Sequence, residues 1–165
     1  MNKEYIIYTD GSSRGNPGPG GWAAIIMQNG KGKMQNGGAN IREIGGREEH
    51  TTNNRMELKA AIEGLKAVPA GSKIMLNADS EYVVKGITLW IKGWLAKNWR
   101  TAAKKPVLNQ DLWQELLKAA EGKNIEWNVV LGHSGVTQNE RADVIATSFA
   151  DNVPIKLRNT VVSPR

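Results

Sequence analysis

Residues 5–21 read "YIIYTDGSSRGNPGPGG". A run of aromatic and β-branched residues, well suited to a strand, meets Asp10 and then a string of glycines and prolines that favours neither helix nor regular strand. An acid placed where a strand opens into so bare a backbone decides how the rest of the chain is read. A glycine-rich stretch lets the backbone pass close to a ligand, offering its amides and the Asn16 side chain as partners. The segment "GPGGWA" at 18–23 formally matches the dinucleotide fingerprint G-x-G-x-x-A, but that fingerprint must open a helix, and here it leads into the apolar run "WAAIIM".

Working outward, "GWAAIIMQ" (21–28) reads as a second strand and "ANIREIG" (39–45) as a third, with "NG" and "NGG" turn signals between them. Strands one to three are therefore expected to form an antiparallel meander. The period then changes. "NNRMELKAAIEGLKAV" (53–68) is an amphipathic helix stopped by "PAG", and "KIMLNA" (73–78) is a fourth strand. Helices are expected at about 80–97 and 110–121, a fifth strand in "NIEWNVVLG", and a closing helix in "TQNERADVIATSFA" (137–150). The fold class is α/β: a five-stranded mixed sheet flanked by helices, with strands four and five parallel to strand one. There are no repeats or low-complexity tracts.

Ligands of open α/β sheets bind beyond the carboxyl ends of the parallel strands. Asp10 and Asp79 end strands one and four in the same sense, so adjacent parallel strands bring the two carboxylates side by side. Taken alone, Asp10 reads as the acid of a D-G turn and Asp79 as a helix cap. Glu57 completes something close to a capping box with Asn54, and Asp143 and Glu140 read as first-turn acids. Taken together, four carboxylates on one rim would repel unless a cation held them, and all-oxygen ligands in a chain without cysteine select Mg²⁺ or Mn²⁺.

Composition frames that site. The 165 residues make one domain with a net charge of +6, which suggests a polyanionic partner. Six cations between positions 81 and 105 (Lys85, Lys92, Lys97, Arg100, Lys104, Lys105) face the single acid Glu81. Trp90, Trp94 and Trp99 are interleaved with them, and Trp113 follows; aromatic faces beside cations suit bases next to phosphates. The plainer alternative has Trp90 and Trp94, one helical turn apart, facing the core. The absence of cysteine excludes disulfides, the charged start "MNKEY" argues against a signal peptide, and no apolar run approaches a membrane span. A cytoplasmic protein with no membrane association, monomeric, is expected.

The motifs "YTDGSSRGNPGPGG", "TTNNRMEL", "NADSEYV", "KKPVLNQDLW" and "GHSGVTQNERADVIA" together resemble type 1 ribonuclease H of the bacterial kind, over about residues 4–150. The resemblance implies a ribonuclease H-like fold and an endoribonuclease that cleaves the RNA strand of RNA/DNA hybrids with two Mg²⁺ ions, leaving 5′-phosphate and 3′-hydroxyl ends; Mn²⁺ is a possible substitute. By resemblance the carboxylates are Asp10, Glu57, Asp79 and Asp143, with Asp10 shared, Asp143 on the nucleophile-side ion, and Glu57 with Asp79 on the leaving-group ion. His133, flanked by Gly132 and Gly135, matches a loop histidine that assists proton transfer or product departure. Asn16, Asn53 and Asn54 match contacts in the hybrid's minor groove, and Thr52 and Asn109 a pocket for a DNA phosphate. Trp90, Trp94, Trp99, Lys97, Arg100, Lys104 and Lys105 match the basic protrusion, about residues 88–105.

The chain also departs from the family pattern. Glu81 stands where many bacterial members have Gln, His50 where an Arg is common, the stretch 29–49 is longer than usual, and the tail 151–165 is unassigned beside a catalytic domain of 1–150. Two other classes share parts of the pattern. A transposase or junction resolvase has the acids, but would lack "NPGPGG" with "TTNNRMEL" and would need further DNA-binding domains. A non-catalytic hybrid-binding module needs the groove and the arm but not four acids.

Overall fold

The computed structural model describes residues 3–29, 40–130 and 137–160. His133 with its flanking glycines, residues 30–39 of the long hairpin, and the last five residues lie outside that set. β1 (Glu4–Ser13) is the central strand: it pairs antiparallel with β2 (Gly18–Asn29) and parallel with β4 (Lys73–Ala78). β3 (Asn40–Thr51) lies antiparallel to β2, and β5 (Asn124–Val129) parallel to β4. The order is β5-β4-β1-β2-β3, with the antiparallel meander and the parallel sense of β4 and β5 that the sequence predicts. One strand is added at the far edge: β6 (Asn159–Thr160) pairs with Ile41 and Arg42 of β3.

"WAAIIM" is continuously apolar because both faces of β2 are covered, and side chains alternate across a strand. Ala24 and Ile26 join Ile7, Leu58, Ile62, Leu65, Leu76, Trp113 and Leu116 beneath α1 (Asn53–Lys66) and α4 (Gln110–Ala120). Ala23, Ile25 and Met27 face the other way, onto Ala142, Ile145 and Ala146 of α5 (Thr137–Ala150). Among the described residues, no helix is long and apolar enough to cross a membrane.

Two differences from the sequence reading have physical causes, and one segment that it left unassigned is placed. β3 continues six residues past "ANIREIG" through "GREEHT", a polar stretch with no strand-like alternation. The helix expected at 80–97 is broken into α2 (Glu81–Lys85), a π-helical turn (Gly86–Trp90) and α3 (Ile91–Ala96), and Trp94 packs on Trp113 with ring centroids 5.3 Å apart. The unassigned tail does not trail in solvent as far as it is described: Ile155 and Leu157 pack on the α5 core.

Two helices approach the sheet unusually closely, each over a glycine. A Cβ on Gly11 would collide with the backbone of Met56 and Glu57 in α1. One on Gly21 would run into the Ala146 carbonyl of α5 and lie 2.7 Å from the Ala150 nitrogen. Because the obstructing atoms are backbone, a Gly21→Ala substitution has to shift α5 off the sheet. It should cost about 2–3 kcal/mol, read as a loss of several degrees in thermal melting and a lower urea midpoint at unchanged m-value.

Candidate active site

Asp10 does not stand in a turn. β1 runs on to Ser13, and the Asp10 carboxylate points to the rim shared with β4, accepting a hydrogen bond from the Gly11 N–H at 2.8 Å. Asp79 follows the last residue of β4, with its own N–H on the Thr9 carbonyl (3.4 Å). It is not the cap of α2. Ser80 does that work, its hydroxyl accepting from the Val83 N–H at 3.3 Å. Glu57 likewise is no member of a capping box: Thr52 caps α1 by accepting from the Arg55 N–H at 3.2 Å, which leaves Glu57 in the second turn facing the sheet, only 5% exposed.

One carboxylate oxygen from each of Asp10, Glu57 and Asp79 lies within 4.8 Å of the others. Asp143, exposed on α5, comes from the opposite face of the sheet, and its charge and a hydrogen bond to Asp10 both favour a proton on Asp10. Glu140, on the same helix, is exposed. Burial pushes the Asp10 carboxyl up to about 8, helped by the charges of Asp79 and Asp143 and opposed by the Gly11 N–H. Burial likewise holds Glu57 well above the usual carboxylate range, with Asp10 and Asp79 adding to the shift. Buried anions this close are unstable as anions alone, and a donor set made only of carboxylate oxygens fits a hard divalent ion.

The duplex-facing candidates fall into two groups. Asn16 Oδ1 accepts from the Asn53 N–H at 2.9 Å, which joins the glycine-rich loop to the start of α1, where Asn53 and Asn54 are exposed. Asn109, in the left-handed region with φ 61°, sits just before α4 and is held on both sides: Arg55 Nη1 donates to its Oδ1 (3.3 Å), and its Nδ2 donates to the Tyr82 hydroxyl (3.2 Å). Arg55 also forks onto Asp111 at 2.8 and 3.0 Å, holding the Asp111 carboxyl below its usual range. Arg55 and Tyr82, which hold Asn109, and Asp111, which holds Arg55, were not singled out by sequence reasoning, although all three lie inside the quoted motifs.

On the arm, Lys97, Arg100, Lys104 and Lys105 are exposed around a tight loop closed by Thr101 N–H to the Lys105 carbonyl at 2.8 Å. The tryptophans divide their duties. Trp94 packs against Trp90, Trp99 and Trp113 at centroid distances of 5.3–6.2 Å, so it and Trp99 are partly buried, whereas Trp90 is 40% exposed. The core-facing alternative thus holds for Trp94 and not for Trp90. Glu81 pairs with Lys85 at 3.3 Å.

Because the folded chain holds the Asp10 proton up to about pH 8, against an ordinary value of 3.8, the contribution of Asp10 to metal-free stability is fully present below about pH 4 and is lost as pH rises toward 8. Melting in EDTA should therefore drop between pH 4 and 8, while affinity for a divalent ion, which competes with that proton, should increase over the same window. Asp10→Asn should flatten part of the melting profile and stabilise the metal-free protein at pH 8 by about 1 kcal/mol or more.

The ribonuclease H family model matches residues 2–151. The chain is 52% identical over 155 residues to a ribonuclease H of Thermosynechococcus vestitus, covering 92% of each protein. It is 51% identical over 146 residues to a ribonuclease H of a Caulobacter species, covering 88% of this chain and 89% of that one. Its fold is similar to that of LC9-RNase H1, a type 1 RNase H with the type 2 active-site motif, at a TM-score of 0.84 and 30% identity over 97% of this chain and 79% of that one. With the acids gathered at one rim of such a sheet, the chain belongs to the ribonuclease H family, as a catalytic member.

Proposed function

We propose that this ribonuclease H hydrolyses the RNA strand of RNA/DNA hybrids at the rim formed by Asp10, Glu57, Asp79 and Asp143, using Mg²⁺ and leaving 5′-phosphate and 3′-hydroxyl ends. The observation that carries this reading is the meeting of acids from β1, α1 and the end of β4 within 4.8 Å, with Asp143 of α5 against Asp10. Two divalent ions, when bound, supply activation of the attacking water and neutralise charge on the departing oxygen. The chain's own part is to hold those carboxylates in a fixed, partly dehydrated frame and to lay the scissile phosphate against it. Asp10, central among the acids, would be shared by both ions, with Asp143 holding one and Glu57 with Asp79 the other. Mn²⁺ satisfies the same oxygen donor set.

Substrate selection follows from neutral amides. Asn16, Asn53 and Asn54 line the approach where a 2′-hydroxyl, both donor and acceptor, distinguishes RNA from DNA. Thr52 and Asn109 take a phosphate of the DNA strand, Asn109 pre-set by Arg55 and Tyr82. Trp90 and the exposed cations Lys97, Arg100, Lys104 and Lys105 extend the grip along the duplex, while Trp94 and Trp99 hold the arm to the body. His133 is assigned to proton transfer or product departure on its place in "GHSG". The functional unit is residues 1–150, with the arm at about 88–105. It acts as a monomer in the cytoplasm, where its nucleic-acid substrate lies.

Incubation with labelled hybrid, duplex DNA and duplex RNA, with and without Mg²⁺, tests the reading: only the hybrid should be cut, only with the ion, and only on the RNA strand. Equal cutting of duplex DNA, or hybrid binding without cleavage, would overturn it. Single-turnover cleavage by Asp10→Asn should fall by several orders of magnitude while hybrid affinity in Ca²⁺ is kept. Neutralising Lys97, Arg100, Lys104 and Lys105 together should raise KM with little change in kcat and flatten the salt dependence of binding.

A further inference from the structure

The helix that presents Asp143 is held by a strap that neither the acidic cluster nor the duplex-facing groups account for. After Ala150 the chain doubles back. The Val153 N–H donates to the Ser148 carbonyl (2.9 Å) and the Ile155 N–H to the Ser148 hydroxyl (3.3 Å). Ile155 and Leu157 then pack over the core shared by α5 and β2. Three residues further the strap meets Glu43 of β3. The Arg158 N–H donates to Glu43 Oε1 at 2.7 Å, and the Glu43 N–H returns a bond to the Arg158 carbonyl at 2.9 Å.

Arg141 of α5 forks onto the same carboxylate, Nε to Oε2 at 2.8 Å and Nη2 to Oε1 at 2.9 Å, and Nη2 also donates to the Lys156 carbonyl at 3.0 Å. The Glu43 side chain is fully buried. Burial by itself would raise its pKa, but the bonds from Arg141 and the Arg158 N–H bring it below the usual carboxylate range. At the other end of the strap, Asp151 accepts from Arg14 Nε and Nη2 at 2.5 and 2.7 Å, and Arg14 stands two residues before Asn16.

Buried ion pairs add little net stability compared with apolar groups of the same size, so stability alone is a weak account of this one. What a forked guanidinium–carboxylate contact does enforce is direction. Arg141 and Asp143 are two positions apart on one helix, about 200° around its axis, so a helix whose Arg141 is fixed on Glu43 has its Asp143 aimed at the opposite side, toward Asp10. We propose that Glu43 and Arg141, locked by residues 155–158, are positioning residues that set the rotation of α5 and so place Asp143 in the acidic cluster; the proposal rests on the metal-site reading above. The strap thereby ties the helix of Asp143 and the loop of Asn16 to a single segment.

The test compares Glu43→Gln, Asp143→Asn and, as a control for lost stability, Leu116→Ala, at a buried residue of α4. For each full-length protein, Mg²⁺ affinity is measured by calorimetry without hybrid, alongside thermal melting and the Mg²⁺ dependence of kcat and KM. Glu43→Gln should weaken Mg²⁺ binding by about tenfold or more, as is usual when a group that orients a metal ligand is lost. Its hybrid KM should stay within about twofold, and kcat should recover as Mg²⁺ is raised. Leu116→Ala should lower the melting temperature without moving Mg²⁺ affinity. If Glu43→Gln melts too low to assay, the double variant Glu43→Gln/Arg141→Met leaves no buried charge unpaired and carries the same expectation. Unchanged Mg²⁺ affinity in these variants, with weakened affinity in Asp143→Asn, would overturn the positioning role and leave the metal site standing. Unchanged affinity in Asp143→Asn itself would overturn the metal-site reading, and the positioning role with it.

Discussion

Carboxylates that repel one another have to be pressed together, and the rest of this molecule is arranged around doing so. Asp10 and Glu57 are nearly buried, with Asp79 alongside, so each charge is both dehydrated and opposed by its neighbours. Such a cluster survives only on elements too stiff to relax away from it. β1 supplies that stiffness by pairing on both sides, and α1 is pressed onto it at Gly11, where there is no room for a side chain. A divalent ion held by these carboxylates would relieve their repulsion, which would tie metal affinity to the contacts that press them together.

Around the cluster, side chains outside the candidate site set the positions of side chains within it. Arg55 links the start of α1 to the start of α4 through Asp111, and in doing so holds Asn109 from one side while Tyr82 holds it from the other. Tyr82 also accepts from Trp113 Nε1, so the surroundings of Asn109 are continuous with the aromatic cluster at the root of the arm. The arm's cations are exposed while the Trp94 and Trp99 rings beneath them are packed against the core. The strap from Asp151 to Arg158 does for α5 what Arg55 does for α4.

The order of elements from β1 to α5, the antiparallel meander and the parallel placement of β4 and β5 were all legible in the sequence. Strand alternation, helical period and turn chemistry depend on near neighbours in the chain, and the long motifs carried the rest. The second half of β3 was not legible, because "GREEHT" is polar and its pairing with β2 is a property of the partner strand. The broken helix after Ser80 was also hidden, since its period is helical throughout and only its packing against Trp113 is tertiary.

Asp10, Glu57, Asp79 and Asp143 could be named as acids from the sequence, and their local alternatives as turn, cap and first-turn residues could be named too. Choosing between those readings took the tertiary structure. Thr52 and Ser80 fill the capping positions, which frees Glu57 and Asp79 for the rim, and burial beside like charges raises Asp10 to about 8. The pairing of Glu43 with Arg141 and Arg158 spans 98 and 115 positions, and nothing near Glu43 in the chain announces it. Local hydrogen bonding and periodicity are decided within a few residues, so the sequence by itself determined the elements and the chemistry they carry. Proximity, dehydration and the direction of a side chain depend on what packs against it from far along the chain, and these only the tertiary structure decided.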